Sequence, residues 1–200
     1  MSIFKIINWL FPKSYFRIKS KGGSIGENVL IAYPFEISHS KKTRKGRLTI
    51  GNNVLIDERM RISMVDMHKK RQYNSLLNIG NNCTFGKDLM ISCCNNIKIG
   101  EKLLTSARVL IVDSIHEYED IKIPPVDQPL KSIGKVTIGK NCFIGINACI
   151  ISCSLGDHVI IGANAVVTRD IPSYSVATGI PARVIKRYNF TTKKWEKVKK

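Results

Sequence analysis

The sequence predicts an all-β chain wound as a solenoid of short parallel strands, with one loop extruded from the winding. Three observations carry that reading. A unit opening on an aliphatic residue and glycine recurs as IGENVLI (25–31), IGNNVLI (50–56), IGNNCTF (79–85), IGEKLLT (99–105), IGKNCFI (138–144) and LGDHVII (155–161). Within it apolar residues fall six apart, as at Ile138, Ile144 and Ile150 and again at Leu155, Ile161 and Val167. Residues 106–131 lack the pattern although regular copies stand on both sides.

A six-residue unit is too short for a hairpin or a pair of helices, but it suits a short strand followed by a corner. The β-branched residue points inward, and Gly or Asn at the corner is expected to take the left-handed backbone conformation that other residues resist. Three units close one triangular coil, and stacked coils accumulate stability through neighbour contacts.

In chain order, residues 1–23 form an amphipathic extension that opens MSIFKIINWLF and continues KSYFRIKSKGG. Trp9 and the flanking Lys and Arg suit an interfacial helix, so residues 1–20 either touch a membrane surface or cap the open end of the coil. Lys5 and Asn8 interrupt the apolar stretch, and no small-residue cleavage site follows it. The repeat domain spans 24–180 and contains the loop 106–131. Residues 181–200, ending RYNFTTKKWEKVKK, read as an appended basic tail. Segments such as MHKKRQYNS mark insertions in the first half, and they are placed to shape an acceptor cleft.

Composition bounds the function. With 44% hydrophobic residues in 200, one domain can bury a substantial core, and no apolar run approaches the ~18 residues of a membrane-crossing helix. The cysteines Cys83, Cys93, Cys94, Cys142, Cys149 and Cys153 show no CxxC and no histidines at zinc spacing. They read as reduced core thiols, which favours the cytoplasm. The net charge of +17 is concentrated at the ends: residues 1–73 carry 15 Lys/Arg against 5 Asp/Glu, 74–182 carry 9 against 9, and 183–200 carry 8 against 1. Such ends suit anionic lipid, nucleic acid or an acidic ligand, because charge reports sign and little else.

The repeats, together with the closing segment IGANAVVTRDIPSYSVATGIPARVIK (161–186), resemble the hexapeptide-repeat acyltransferases, and most of all the sugar O-acetyltransferases related to galactoside and maltose acetyltransferases. The resemblance covers about residues 24–187. It implies a left-handed parallel β-helix, a handedness that periodicity does not supply and that departs from the usual right-handed crossover.

It also implies that the loop carries the catalytic histidine. The run IVDSIHEYED (111–120) presents His116 among four acids. Moving an acetyl group from a thioester to a sugar hydroxyl requires a base that can also return a proton to the leaving thiolate, and imidazole has the right pKa for both transfers. Asp113 is expected to orient the ring, with Glu117 as the alternative. His39, His68 and His158 read as solvated. Carried over residue by residue, the resemblance places Ile146, Ala163, Thr168, Arg169, Arg183 and Lys186 against acetyl-coenzyme A, the three cations suiting its phosphates. Phe143 stands where the family has Trp, and the connector ISCSLG is one residue short.

The expected protein is therefore a homotrimeric O-acetyltransferase with a carbohydrate acceptor in a bacterial surface polysaccharide or its precursor, requiring no metal and binding no nucleic acid. N-acetylation of an amino-sugar nucleotide and acetylation of a serine-like acceptor stay open. A noncatalytic lipid- or nucleic-acid-binding solenoid is the distant alternative.

Overall fold

The computed structural model describes residues 23–39 and 47–198. The expected membrane contact of residues 1–20 lies outside them, as does the side chain of His39.

Each coil contributes one strand to each of three parallel sheets. The first coil holds β1 (Ser24–Ile25), β2 (Leu30–Ile31) and β3 (Glu36–His39), and the second holds β4 (Arg47–Ile50), β5 (Leu55–Ile56) and β6 (Arg61–Met64). A small antiparallel hairpin, β7 (Met67–His68) and β8 (Arg71–Gln72), then leaves the winding. The third coil is β9 (Leu76–Ile79), β10 (Thr84–Phe85) and β11 (Met90–Cys93), and the fourth is β12 (Asn96–Ile99), β13 (Leu104–Thr105) and β14 (Leu110–Val112). The large loop leaves as β15 (Ser114–His116) and returns as β16 (Leu130–Ser132). The fifth coil is β17 (Val136–Ile138), β18 (Phe143–Ile144) and β19 (Cys149–Ile151), and the sixth is β20 (Ser154–Leu155), β21 (Ile160–Ile161) and β22 (Val166–Val167). A last partial turn is made by β23 (Ser175–Gly179), β24 (Ala182–Asn189) and β25 (Lys194–Lys197).

The first sheet runs β1-β4-β9-β12-β17-β20, the second β2-β5-β10-β13-β18-β21-β23-β24-β25, and the third β22-β19-β14-β11-β6-β3. All coil strands pair in parallel, so every inward position stacks on its equivalent one coil away, as Ile91 does on Ile62 and Ile111. The shared interior is aliphatic, with Phe85, Ile97, Ile144 and Ile161 at 0% exposure. Burying such a side chain is worth roughly 1.5–3 kcal/mol, repeated at each coil.

The corners divide their labour between two residue types. Asn28, Asn53, Asn82, Asn141, Asn147 and Asn164 hold φ between 54° and 60°, the expected left-handed conformation. The corner glycines do not share it. Gly100 is required for space instead: a Cβ there would stand 2.7 Å from the backbone carbon of Gly139 on the next coil. Asparagines also bond along the edge, Asn28 donating to Asn53 at 3.1 Å and Asn53 to Asn82 at 3.2 Å. The column continues through Lys102, then Asn141 and His158, whose side chains meet at 3.1 Å.

Two sequence boundaries move. The loop was expected over 106–131, yet residues 106–112 belong to the fourth coil, where β14 pairs with β11 and β19. Arg108 occupies the left-handed corner at φ 55° in place of asparagine, which hides the repeat from a reader of letters. The excursion itself runs from Asp113 to Lys135. Nor is the tail simply appended, because β24 pairs with β23 and β25 with β24, extending the second sheet. Its aromatic residues close the coil end in a chain of ring contacts: His158 on Tyr174 at 5.0 Å, Tyr174 on Phe190 at 4.9 Å, Phe190 on Tyr188 at 5.1 Å and Tyr188 on Trp195 at 5.5 Å.

Outward positions differ between faces. On the first sheet they read Thr49, Asn78, Lys98 and Thr137 in register. On the second they read Leu55, Thr84, Leu104, Phe143 and Ile160, with Leu55 42% and Leu104 48% exposed. On the third, Glu36 and Arg61 precede Met90, Leu110, Cys149 and Val166 in one column, beside Ser38, Ser63, Ser92, Val112 and Ile151 in the other. The second face is thus apolar outside as well as inside, and the third only over its later coils.

Candidate active site

Both excursions leave from the same edge of the coil, where strands of the third sheet turn toward the first. A Val-Asp pair stands at each departure, Val65-Asp66 after β6 and Val112-Asp113 where β14 ends, and both aspartates are fully buried. The intervening coil turns tightly through Cys94 and Asn95. Asp113 Oδ1 accepts from the Cys94 backbone N–H at 2.7 Å and Oδ2 from that of Asn95 at 2.8 Å, while the Cys93 thiol donates to Oδ2 at 3.8 Å. Burial pushes the Asp113 carboxyl above its ordinary value, against the downward pull of those N–H groups. Asp66 Oδ1 accepts from Ser75 Oγ at 2.9 Å.

This geometry corrects the expected role of Asp113. Its oxygens face inward to the neighbouring corner and make no contact with His116, so it anchors the root of the loop rather than a ring. Glu117 is also committed, in an ion pair with Arg71.

His116 ends β15, with its backbone opposite Leu130 of β16 and its side chain exposed. The loop beyond it is held internally by the buried Gln128, whose Nε2 donates to the carbonyls of Asp120 at 2.9 Å and Ile123 at 2.6 Å. The small hairpin holds it from outside. Lys69 Nζ meets Asp127 at 3.0 Å, Arg71 reaches the Leu130 carbonyl at 3.3 Å as well as Glu117, and Tyr73 Oη donates to that carbonyl at 2.8 Å while accepting from the Leu130 N–H at 3.0 Å. Exposed ion pairs of this kind contribute under about 1 kcal/mol each, so their effect is positional more than energetic.

The hairpin brings in a residue that the sequence reading set aside. His68 packs on His116 with ring centroids 5.5 Å apart and planes at 79°. It is half-buried, its Nδ1 has no hydrogen-bond partner, and burial, then His116 and Lys69, hold its pKa below the ordinary histidine value. The signal lay in the parallel between DMH (66–68) and DSIH (113–116), masked by the basic run that follows His68.

The six residues expected at the acyl donor fall on two edges. Thr168 and Arg169 are exposed and follow β22 on the edge that carries both excursions. Ile146 and Ala163 occupy the opposite edge of the third sheet, where the Asn164 N–H donates to the Ile146 carbonyl at 2.8 Å. Arg183 joins that edge through its pairing with Thr178, whose methyl faces Gly162, and Lys186 pairs with Val176. One third-sheet strand, about 10 Å at ~3.3 Å per residue, separates the two groups. Among the described residues no group of three or more His, Cys, Asp or Glu is arranged to hold a metal ion.

Residues 135–169 match the family described as the hexapeptide repeat of succinyl-transferase. The chain has 22% identity and a TM-score of 0.68 to a serine-to-cysteine variant of AntD, an N-acyltransferase from Bacillus cereus in complex with dTDP-4-amino-4,6-dideoxyglucose and coenzyme A, covering 89% of this chain and 90% of that one. The chain thus shares the left-handed β-helix fold of this solved structure. The hexapeptide-repeat chain is 36% identical over 115 residues to the putative lipopolysaccharide biosynthesis O-acetyl transferase WbbJ of Escherichia coli K12, covering 54% of this chain and 58% of WbbJ. It is 29% identical over 172 residues to the galactoside O-acetyltransferase of the same organism, covering 80% and 76%. The match thus spans little more than half the length of WbbJ.

Proposed function

We propose that this hexapeptide-repeat protein is a coenzyme A-dependent O-acetyltransferase acting on a sugar hydroxyl of a bacterial surface polysaccharide or its precursor. The observation that carries the reading is His116, an exposed imidazole at the end of a paired strand on a braced loop that projects from a rigid coil. The names of the relatives, a lipopolysaccharide O-acetyl transferase and a galactoside O-acetyltransferase, support the acceptor class.

In this reading acetyl-coenzyme A supplies an activated thioester. His116 takes the proton of the acceptor hydroxyl as its oxygen bonds to the acetyl carbon, and the carbon–sulfur bond breaks. The same imidazolium then returns the proton to the departing thiolate, so one residue serves both halves. Arg169, Arg183 and Lys186 supply cations for the phosphates, and the stacked corners at Ile146 and Ala163, with Thr168, offer backbone and small side chains for the pantetheine arm.

The protein acts as a homotrimer on the cytoplasmic side, with residues 1–20 against the inner face of the membrane. The apolar outer side of the second sheet, continued on the later coils of the third, favours packing of neighbouring copies, and the separation of the donor-binding residues over two edges favours a site completed by a second chain.

Titrating acetyl-coenzyme A by calorimetry into the protein and an Arg169→Ala, Arg183→Ala variant tests the donor site. Saturable binding that weakens in the variant is expected; no binding by folded protein would overturn the reading. Transfer assays with His116→Ala as control, using a galactoside and an amino-sugar nucleotide as acceptors, then separate O- from N-acetylation.

A further inference from the structure

His116 lacks the partner that a base of this kind ordinarily uses. Asp113 is bonded to the Cys94 and Asn95 backbone and Glu117 to Arg71, so neither carboxylate is free to steady an imidazolium. Among the described residues the ring packed on His116 is that of His68, near-perpendicular at 5.5 Å.

The hairpin that presents His68 is built against local preference. Its two turn residues, Lys69 and Lys70, both hold positive φ, at 44° and 65°, the two-residue turn that ordinarily takes Asn-Gly. Side chains with a Cβ are strained there. The hairpin is nonetheless tied to the loop at Asp127, Glu117 and Leu130, and the strain is accepted where two excursions from coils two apart must meet. The Nδ1 of His68 is buried without a partner, which favours the neutral tautomer carrying its proton on Nε2. An edge-to-face contact between two rings is attractive and fixes their relative orientation.

We propose that His68 is a positioning residue for His116: a neutral imidazole whose ring fixes the orientation of the His116 ring where a carboxylate would otherwise do so. This rests on the reading of His116 as the base.

The test compares the full-length parent with His68→Ala and His68→Phe, using histidine labelled with carbon-13 in the ring and His116→Ala to assign the signals. In His68→Ala the His116 resonance is expected to move toward the free-histidine position, whereas His68→Phe, which keeps a ring in place, holds it near the parent. Transfer from acetyl-coenzyme A to p-nitrophenyl β-galactoside is expected to lose roughly 10- to 100-fold in kcat in His68→Ala, the scale of a misplaced catalytic group, with KM within about threefold. His68→Phe should recover most of that loss. Calorimetric coenzyme A binding and thermal unfolding of His68→Phe should match the parent.

An unchanged His116 resonance in His68→Ala overturns the positioning role, and so does a His68→Phe variant as impaired as His68→Ala. If the galactoside probe is not accepted, the resonance alone decides. A His116→Ala variant that still transfers at the parental rate would instead sink the base assignment, leaving the ring contact a structural one.

Discussion

The buried carboxylate of Asp113 accepts the backbone N–H of Cys94 at 2.7 Å, joining the root of the extruded loop to the corner of the preceding coil. With its second oxygen on the half-buried Asn95 N–H, it satisfies two donors at one corner. Asp113→Ala is therefore expected to destabilise the protein by about 2–4 kcal/mol, because it strands the buried Cys94 N–H and the half-buried Asn95 N–H. Urea unfolding followed by far-ultraviolet circular dichroism checks this. Loss of activity without loss of stability would restore a direct role at the ring.

Lys102 interrupts the ladder of corner asparagines while holding φ at 56°. Lys102→Asn is expected to stabilise by about 1 kcal/mol, relieving the left-handed conformation and adding a link between Asn82 and Asn141. A rise in the urea midpoint at constant slope is the signature, and a fall would show that the Lys102 side chain contributes more than its backbone costs.

Gly100→Ala carries the opposite sign. The added methyl would stand 2.7 Å from the Gly139 backbone, which cannot give way without parting two coils. Overpacking of this kind costs roughly 1–3 kcal/mol. Differential calorimetry should show a lower Tm, whereas an unchanged Tm would mean that the coils can separate freely.

Stability should also depend on pH through His68. Its folded pKa lies below the ordinary 6.5, with burial the largest cause and then His116 and Lys69, while Arg71, Glu117, Asp127, Asp66 and Tyr73 surround the same hairpin. The unfolded chain then binds a proton more readily than the folded one, so this contribution is complete above about 6.5 and is lost as pH falls below it. His68→Gln should flatten that part of the stability profile. An identical profile in the variant would assign the slope to other groups.

The repeat was legible because each Ile-Gly pair states two physical demands in adjacent letters, an inward aliphatic and a corner without a Cβ. The coil at 106–112 was harder to read, since Arg108 meets the left-handed corner with a residue that announces nothing. At the site, His116 stood out through its loop motif, but the destination of Asp113 and the nearness of His68 depend on contacts between residues 18 to 48 positions apart. No spacing within either segment encodes them. The register of the coils does, by stacking the ends of β6 and β14 on one edge with β11 between them.

The β24–β25 hairpin has a consequence for solubility. A stacked coil ends in unpaired backbone groups that invite another chain to continue the sheet, and unlimited continuation produces fibres. Here β25 is the edge strand of the second sheet, only four residues long and exposed throughout, with Lys194 and Lys197 on it and Lys193 in the preceding turn. An incoming copy of the same edge would bring like charges into register. The hairpin thus blocks continuation of the second sheet, and the cationic edge that suggests a binding surface also keeps coils from adding end to end.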